Sequence, residues 1–271
     1  MKDQQARPLP AAKDDVARTE HIPDTPQTRS PTYRLAFDDP DFLTDIALRP
    51  VRLQLELLKA QMTLDERGIV STIVMFGGAR IPAPDRRGEA RTPELAELSP
   101  FYDEARRFAQ IVTAQSVAGG NRECVIVTGG GPGVMEAGNL GAAEAGGVSI
   151  GLGIVLPHEQ APNLFVTPEL SFNFHYFAVR KMHFLMRARA ITVFPGGFGT
   201  LDELFEALTL IQTKRMEPVP ILLFGEKFWR EIINWDALAA SGTIADHDLE
   251  LFTFVESADE AVAILEEAGA L

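Results

Sequence analysis

The chain has a single cysteine, Cys124, among its 271 residues. One thiol forms no internal disulfide and is too few for a cysteine-based zinc site. Long apolar runs are missing too. None approaches the roughly 18–20 residues that a membrane-crossing helix requires. The first residues, MKDQQARPLP, lack the apolar core of a secretory signal. A reducing, cytoplasmic location is the expectation. Basic residues are scarce: 25 Lys+Arg face 38 Asp+Glu, a net charge of −13. That balance argues against coating nucleic acid, which needs a basic face, and against a polybasic membrane-surface role. No G-x-x-x-x-G-K-[ST] occurs, which disfavours a P-loop kinase or ATPase. No 20–50-residue repeat is evident.

What is present is ordinary globular composition, 46% hydrophobic and 23% charged. The length suits one large domain with an appendage. Residues 1–34 contain five prolines and few apolar residues, and are expected to be a mostly disordered tail. Residues 35–70 read as an N-terminal helical extension, because Val51, Leu53, Leu55, Leu57, Leu58 and Met62 recur among polar residues as on an amphipathic helix over 51–66. The catalytic or binding domain is expected over 71–271.

From residue 71 onward, short apolar runs alternate with helical stretches. The strands are expected at Ser71–Phe76, Cys124–Thr128, Val148–Val155, Ile191–Phe194, Val219–Phe224 and Phe252–Val255. The helices are expected over 99–118, 133–146, 173–189, 200–213, 226–239 and 257–268. Nearly continuous apolar strands alternating with helices indicate an α/β fold: a doubly wound, Rossmann-like parallel sheet covered on both faces. Ligands of such folds bind beyond the carboxyl ends of the strands, so the turns that follow strands are the places to look.

Two of those turns are rich in glycine. The first is Thr128-Gly129-Gly130-Gly131-Pro132-Gly133. Glycine permits a sharp turn and close ligand approach, and the helix that follows offers free amides to an anion. It does not carry the G-x-G-x-x-G dinucleotide spacing. The second is Pro195-Gly196-Gly197-Phe198-Gly199-Thr200-Leu201-Asp202-Glu203. The amides of Gly196 to Thr200 suit a phosphate, with the Thr200 hydroxyl as a further donor. Thr200-x-x-Glu203 reads either as a capping box or as a catalytic carboxylate beside a ligand. Residues 175–189 supply cations: Arg180 and Lys181, then Arg187 and Arg189, with Arg180 and Arg187 spaced to share a helix face. Surface salt bridging is the alternative for Arg187 and Arg189. His175 and His183 lack a carboxylate at metal spacing, so packing roles and no metal site are expected.

Together these segments resemble the Lonely-guy family of nucleoside 5′-monophosphate phosphoribohydrolases. The signature is an Arg-Lys pair on a helix, then a strand, then P-G-G-x-G-T-x-x-E; here Arg180-Lys181 and Pro195 to Glu203. Phe76-Gly77-Gly78-Ala79-Arg80, the Gly129–Met135 turn and Leu156-Pro157-His158-Glu159-Gln160 also fit. The resemblance implies hydrolysis of an N-glycosidic bond, with Arg180 and Glu203 as the catalytic pair. It implies nucleotide contacts from Gly78, Gly130, Gly131, Gly133, Glu159, Lys181, Gly196, Gly197, Gly199, Thr200, Asp202 and Thr209. The implied ligand is an AMP-like nucleotide, without cofactor or metal. The implied assembly is a homodimer or larger homo-oligomer whose sites combine residues of two subunits. Proteins of this kind are often labelled lysine decarboxylase, but no residue pattern here supports pyridoxal phosphate chemistry. A non-catalytic nucleotide or molybdenum-cofactor binding protein of similar fold is the alternative. Glu203 stabilises an oxocarbenium ion, holds a ribose hydroxyl or polarises water; the sequence leaves these three open.

Overall fold

The computed structural model of the chain describes residues 9, 11–157 and 161–271. They fall into two compact units, Met1–Leu55 and Glu56–Leu271. In the first, α1 (Ala12–Thr19) buries no residue, and α2 (Pro40–Leu43) starts where Asp39 accepts from the amides of Asp41 and Phe42. Helix α3 (Arg49–Glu66) forms where a helix was expected over 51–66, but of the apolar residues that suggested it Val51, Leu55, Leu58 and Met62 are exposed. Its Ala60 and Leu64, both in the second unit, are buried.

The second unit holds one sheet of seven strands, all parallel: β1 (Thr72–Phe76), β2 (Val125–Thr128), β3 (Ser149–Ile154), β4 (Ser171–Phe174), β5 (Ala188–Val193), β6 (Ile221–Phe224) and β7 (Thr253–Val255). Every residue of β1, β2 and β6 is buried, as expected of strands covered on both faces. The helices are α4 (Pro93–Glu97), α5 (Pro100–Ala118), α6 (Val134–Glu144), α7 (Phe177–Leu185), α8 (Phe198–Gln212), α9 (Glu226–Ile232), α10 (Trp235–Ala240) and α11 (Ala258–Glu267). Ile73 and Met75 of β1 join a core with Phe108 and Val112 of α5, Ala137 of α6 and Leu265 of α11. Phe194 stacks on Phe224 at 4.0 Å within the same core, and Phe76 meets Phe184 of α7 edge-on at 4.9 Å between ring centroids. Each such buried side chain contributes about 1.5–3 kcal/mol.

The strand order is β4-β3-β2-β1-β5-β6-β7. The chain starts in the centre, winds outward through β2 to β4, returns to pair β5 beside β1, and winds out the other way. The topological switch point therefore lies between β1 and β5, whose onward connections lead to opposite halves of the sheet, and a ligand crevice is expected beyond their carboxyl ends.

Three features differ from the sequence-based expectation. The expected helix over 173–189 begins as strand β4, turns into α7 only at Phe177, and yields to β5 at Ala188. The edge strand Ser-Phe-Asn-Phe is short, and its first and third residues are exposed, so it carries little apolar signal. Arg187 therefore lies beyond the end of α7 and does not share a helix face with Arg180. The expected helix over 226–239 is two helices, divided where the Asn234 side chain accepts from the Ala237 amide and opens α10.

Candidate functional site

The turns after β1 and β5 meet directly. The Gly78 amide donates to the Pro195 carbonyl at 2.9 Å, and the Val134 amide that opens α6 donates to the Gly78 carbonyl at 3.3 Å. Gly133 stands at φ +68°, where a β-carbon would collide with that same carbonyl, so only glycine fits. A β-carbon on Gly196 would likewise strike the Thr200 side chain. Backbone from three turns is thus packed without side chains between, at the switch point.

Above them opens a cavity of about 810 Å³. One part of its wall is polar and includes Gly78, Gly196, Gly197, Gly199, Thr200, Arg180 and Glu203. Another is apolar, formed by Ile81, Leu95, Leu98, Phe228 and Ile232.

Helix α8 begins at Phe198, with Gly197 as its N-cap and no side-chain cap. The amides of Phe198, Gly199 and Thr200 occupy the first turn, where no helical carbonyl can accept from them. Thr200 is then the third residue of the helix, so Thr200-x-x-Glu203 is not a capping box. Glu203 has left the backbone for another partner: its Oε1 accepts from Arg180 Nη1 at 3.0 Å, with side-chain exposures of 12% and 10%. Arg180 Nε donates to the Leu152 carbonyl at 2.7 Å, and its guanidinium lies 4.9 Å from the centre of the Phe184 ring. Strand β3 and helix α7 thus hold the arginine, and α8 holds the carboxylate. Burial pushes the Glu203 carboxyl up from 4.5 to about 7, although the adjacent Arg180 pulls it down. A carboxyl poised near neutrality beside a buried cation suits proton or charge chemistry in a cavity.

The remaining residues expected at the site are elsewhere. Lys181 bonds Asp202 at 3.2 Å and Glu206 at 3.1 Å, bracing α7 against α8. Asp202 and Thr209 line a separate groove on the outer face of α8, with Phe205 and Glu206. Gly130 and Gly131 line a smaller pocket of about 250 Å³ with Asn173 and Pro162; Gly129 borders both spaces. Glu159 lies outside the described residues. Arg187 and Arg189 pair with Asp65 and Glu123, as the salt-bridging reading has it. His183 is buried, packs on Phe174, and its Nε2 lies 3.1 Å from the Leu57 carbonyl.

Sequence reasoning missed the network beneath the Gly129–Gly133 turn. The Gly130 amide donates to Thr128 Oγ1 at 2.9 Å, Thr128 donates to Asn139 Oδ1 at 2.8 Å, and Asn139 Nδ2 donates to Ser149 Oγ at 3.0 Å. Asn163 Nδ2 donates to the Gly131 carbonyl and to Asn139 Oδ1, each at 2.9 Å. The one available signal was an asparagine on the inward face of an otherwise small, apolar helix.

Residues 135–265 match the family model described as "Possible lysine decarboxylase". No curated protein matches the chain. Among solved structures, the molybdenum cofactor binding protein from Rippkaea orientalis aligns with 73% of this chain and 96% of its own at 19% identity and a TM-score of 0.47. The molybdenum cofactor carrier protein from Chlamydomonas reinhardtii aligns with 74% of this chain and 99% of its own at 18% identity and a TM-score of 0.48. Over residues 135–265, the stretch that holds Arg180-Lys181 and Pro195–Glu203, the chain is thus similar to the family described as possible lysine decarboxylase.

Proposed function

We propose that the chain is an N-glycosyl hydrolase that splits a nucleoside 5′-monophosphate, of the AMP or cytokinin riboside monophosphate type, into free base and ribose 5-phosphate. The observation that carries this reading is the buried Arg180–Glu203 pair, 3.0 Å apart, in a cavity that also exposes the start of α8. Breaking the N-glycosidic bond builds positive charge on the ribose ring. Ionised Glu203 faces that charge or orients the attacking water, and Arg180 keeps a share of it ionised at neutral pH. The phosphate sits on the amides of Gly197 to Thr200, and its binding energy positions the sugar. The apolar wall of Ile81, Leu95, Leu98, Phe228 and Ile232 receives the base.

The protein acts in the cytoplasm as a homodimer or higher homo-oligomer, with no nucleic-acid or membrane partner. Among the described residues, no helix is long and apolar enough to cross a membrane. Supporting self-association, Met182 and Met186 of α7 and Phe205 of α8 are each more than a third exposed, and Phe198 is 93% exposed. Lys181, Asp202 and Thr209, which face away from their own cavity, lie on this side and meet a second copy.

A panel of purine and pyrimidine nucleoside monophosphates, scored for released base, tests the proposal. Release of adenine or a substituted adenine is expected. Failure with every member would overturn it, and tight binding without turnover would favour a nucleotide or molybdenum-cofactor binding protein instead.

A further inference from the structure

The 810 Å³ cavity is lined by two arginines, and they are in opposite states. Arg180 is buried and spent on Glu203. Arg80 is exposed and, among the described residues, has no ion-pair or hydrogen-bond partner for its side chain. Its backbone, by contrast, is fixed. The Ile81 amide closes a turn onto the Gly78 carbonyl at 3.4 Å, Ile81 is 2% exposed, and Ala79 lies directly over Gly133. A held root and an unspent guanidinium distinguish Arg80 from the other arginines of its neighbourhood. Arg86 is tied to Glu136 at 2.9 Å, and Arg87 does not line the cavity.

The position of that root matters. Gly78, two residues before Arg80, abuts the Pro195–Gly196 turn so closely that a β-carbon on it would lie 3.4 Å from Gly196 Cα. Arg80 therefore springs from beside the loop that leads into α8. A chain of net charge −13 repels anions at long range, so a phosphate needs a local cation. Arg180 cannot serve fully, because Glu203 offsets its charge. The helix start contributes only partial charge. A guanidinium adds a full charge and a planar fork that matches phosphate oxygens.

Resting on the nucleotide reading above, we propose that Arg80 is the phosphate-binding arginine of this site: it closes over the 5′-phosphate from the β1 side while the amides at the start of α8 hold it from the other. It is a binding residue for the substrate and takes no part in the bond cleavage.

Calorimetric titration of the full chain with ribose 5-phosphate and with adenosine tests this, comparing wild type, Arg80→Ala, Arg80→Lys and Arg87→Ala. Removing Arg80 is expected to weaken ribose 5-phosphate roughly 10- to 100-fold, the range for a hydrogen-bonded charged group. Arg80→Lys should lose less, Arg87→Ala nothing, and adenosine, which has no phosphate, should bind all four proteins alike. In steady state Arg80→Ala should lower kcat/KM for AMP, raising KM and, because the bound phosphate positions the sugar, lowering kcat as well. Equal ribose 5-phosphate affinity in wild type and Arg80→Ala would overturn the assignment while leaving hydrolysis standing. If wild type binds ribose 5-phosphate through Arg80 yet frees no base from any nucleotide, the assignment holds and the hydrolase reading falls. A wild type that does not bind ribose 5-phosphate at all also overturns the assignment, and the base-release panel then decides the hydrolase reading on its own.

Discussion

Gly129 and Arg180 are fitted to each other: a β-carbon on Gly129 would lie 2.6 Å from Arg180 Nη2. The glycine of one strand-to-helix turn is the space into which the arginine of another element reaches. The first glycine-rich turn thus serves the Arg180–Glu203 pair by leaving room for the arginine.

Gly129→Ala should therefore damage the site more than the fold. The new methyl also meets Met135 Sδ at 2.7 Å, which can swing aside, whereas the guanidinium is pinned by Leu152 and Glu203. Overpacking of this kind costs about 1–3 kcal/mol. An ångström of misplacement can cost about 100-fold in rate. Denaturant titration and base-release kinetics together check this; unchanged kcat would contradict it.

Arg180→Ala leaves Glu203 buried without its counter-charge. Breaking one side of such a pair costs about 3–5 kcal/mol. The loss should be full at pH 8, where Glu203 must ionise, and smaller at pH 5, where it can take a proton. Urea unfolding at both pH values measures the difference. An equal loss at both would mean that Glu203 is not the group left stranded.

Glu203 itself predicts a pH dependence of stability. Its carboxyl is raised from 4.5 to about 7 by burial, so the folded state holds the proton more tightly than the unfolded chain. Its contribution is complete below pH 4.5 and is lost as pH rises through about 7. Melting temperatures of wild type minus those of Glu203→Gln should fall across that interval and then level off. Base release by wild type should show an inflection near pH 7, and the Gln variant should lose most turnover. A Gln variant of wild-type activity would remove Glu203 from the chemistry.

Asn139 is fully buried and bonds Thr128, Ser149 and Asn163. Asn139→Ala strands several of these at once, at about 1–3 kcal/mol for each group left unsatisfied. Hydrogen exchange of the 129–133 amides should accelerate in the variant. Protection equal to wild type would show that the turn holds without the network.

Self-association is tested by placing charge on the apolar face of α7. If wild type scatters light as the proposed oligomer, Met182→Glu with Met186→Glu should scatter as a monomer with the circular dichroism of the fold intact. A monomeric wild type would dispose of the proposed assembly directly.

Much of the fold was legible because the central strands announce themselves. Thr72–Phe76 and Ile221–Phe224 are buried on both faces, so their apolar runs are unbroken and their place in a parallel sheet follows. β4 was not legible: four residues at the sheet edge, half of them exposed, look like the lead-in to the helix that follows. Around the cavity, the glycine-rich turn into α8 was legible from its spacing, whereas the pairing of Arg180 with Glu203 was implied only by the family resemblance. That Lys181 answers Asp202 and Glu206 depends on how α7 lies against α8, a relation between segments some twenty residues apart that no local pattern encodes.

The sequence by itself determined the class of the fold and the two glycine-rich turns, since burial and backbone freedom leave a local mark in residue type. It left Glu203 undecided between a helix cap and a carboxylate at work. Only the tertiary structure removed the first of these. Helix α8 starts at Phe198, so Thr200 cannot cap it, and the parallel order around β1 brings Arg180 to within 3.0 Å of Glu203. The physical reason is that a carboxylate buried in the core keeps its charge only beside a cation. The identity of that cation is set by the packing of strands and helices distant in the chain.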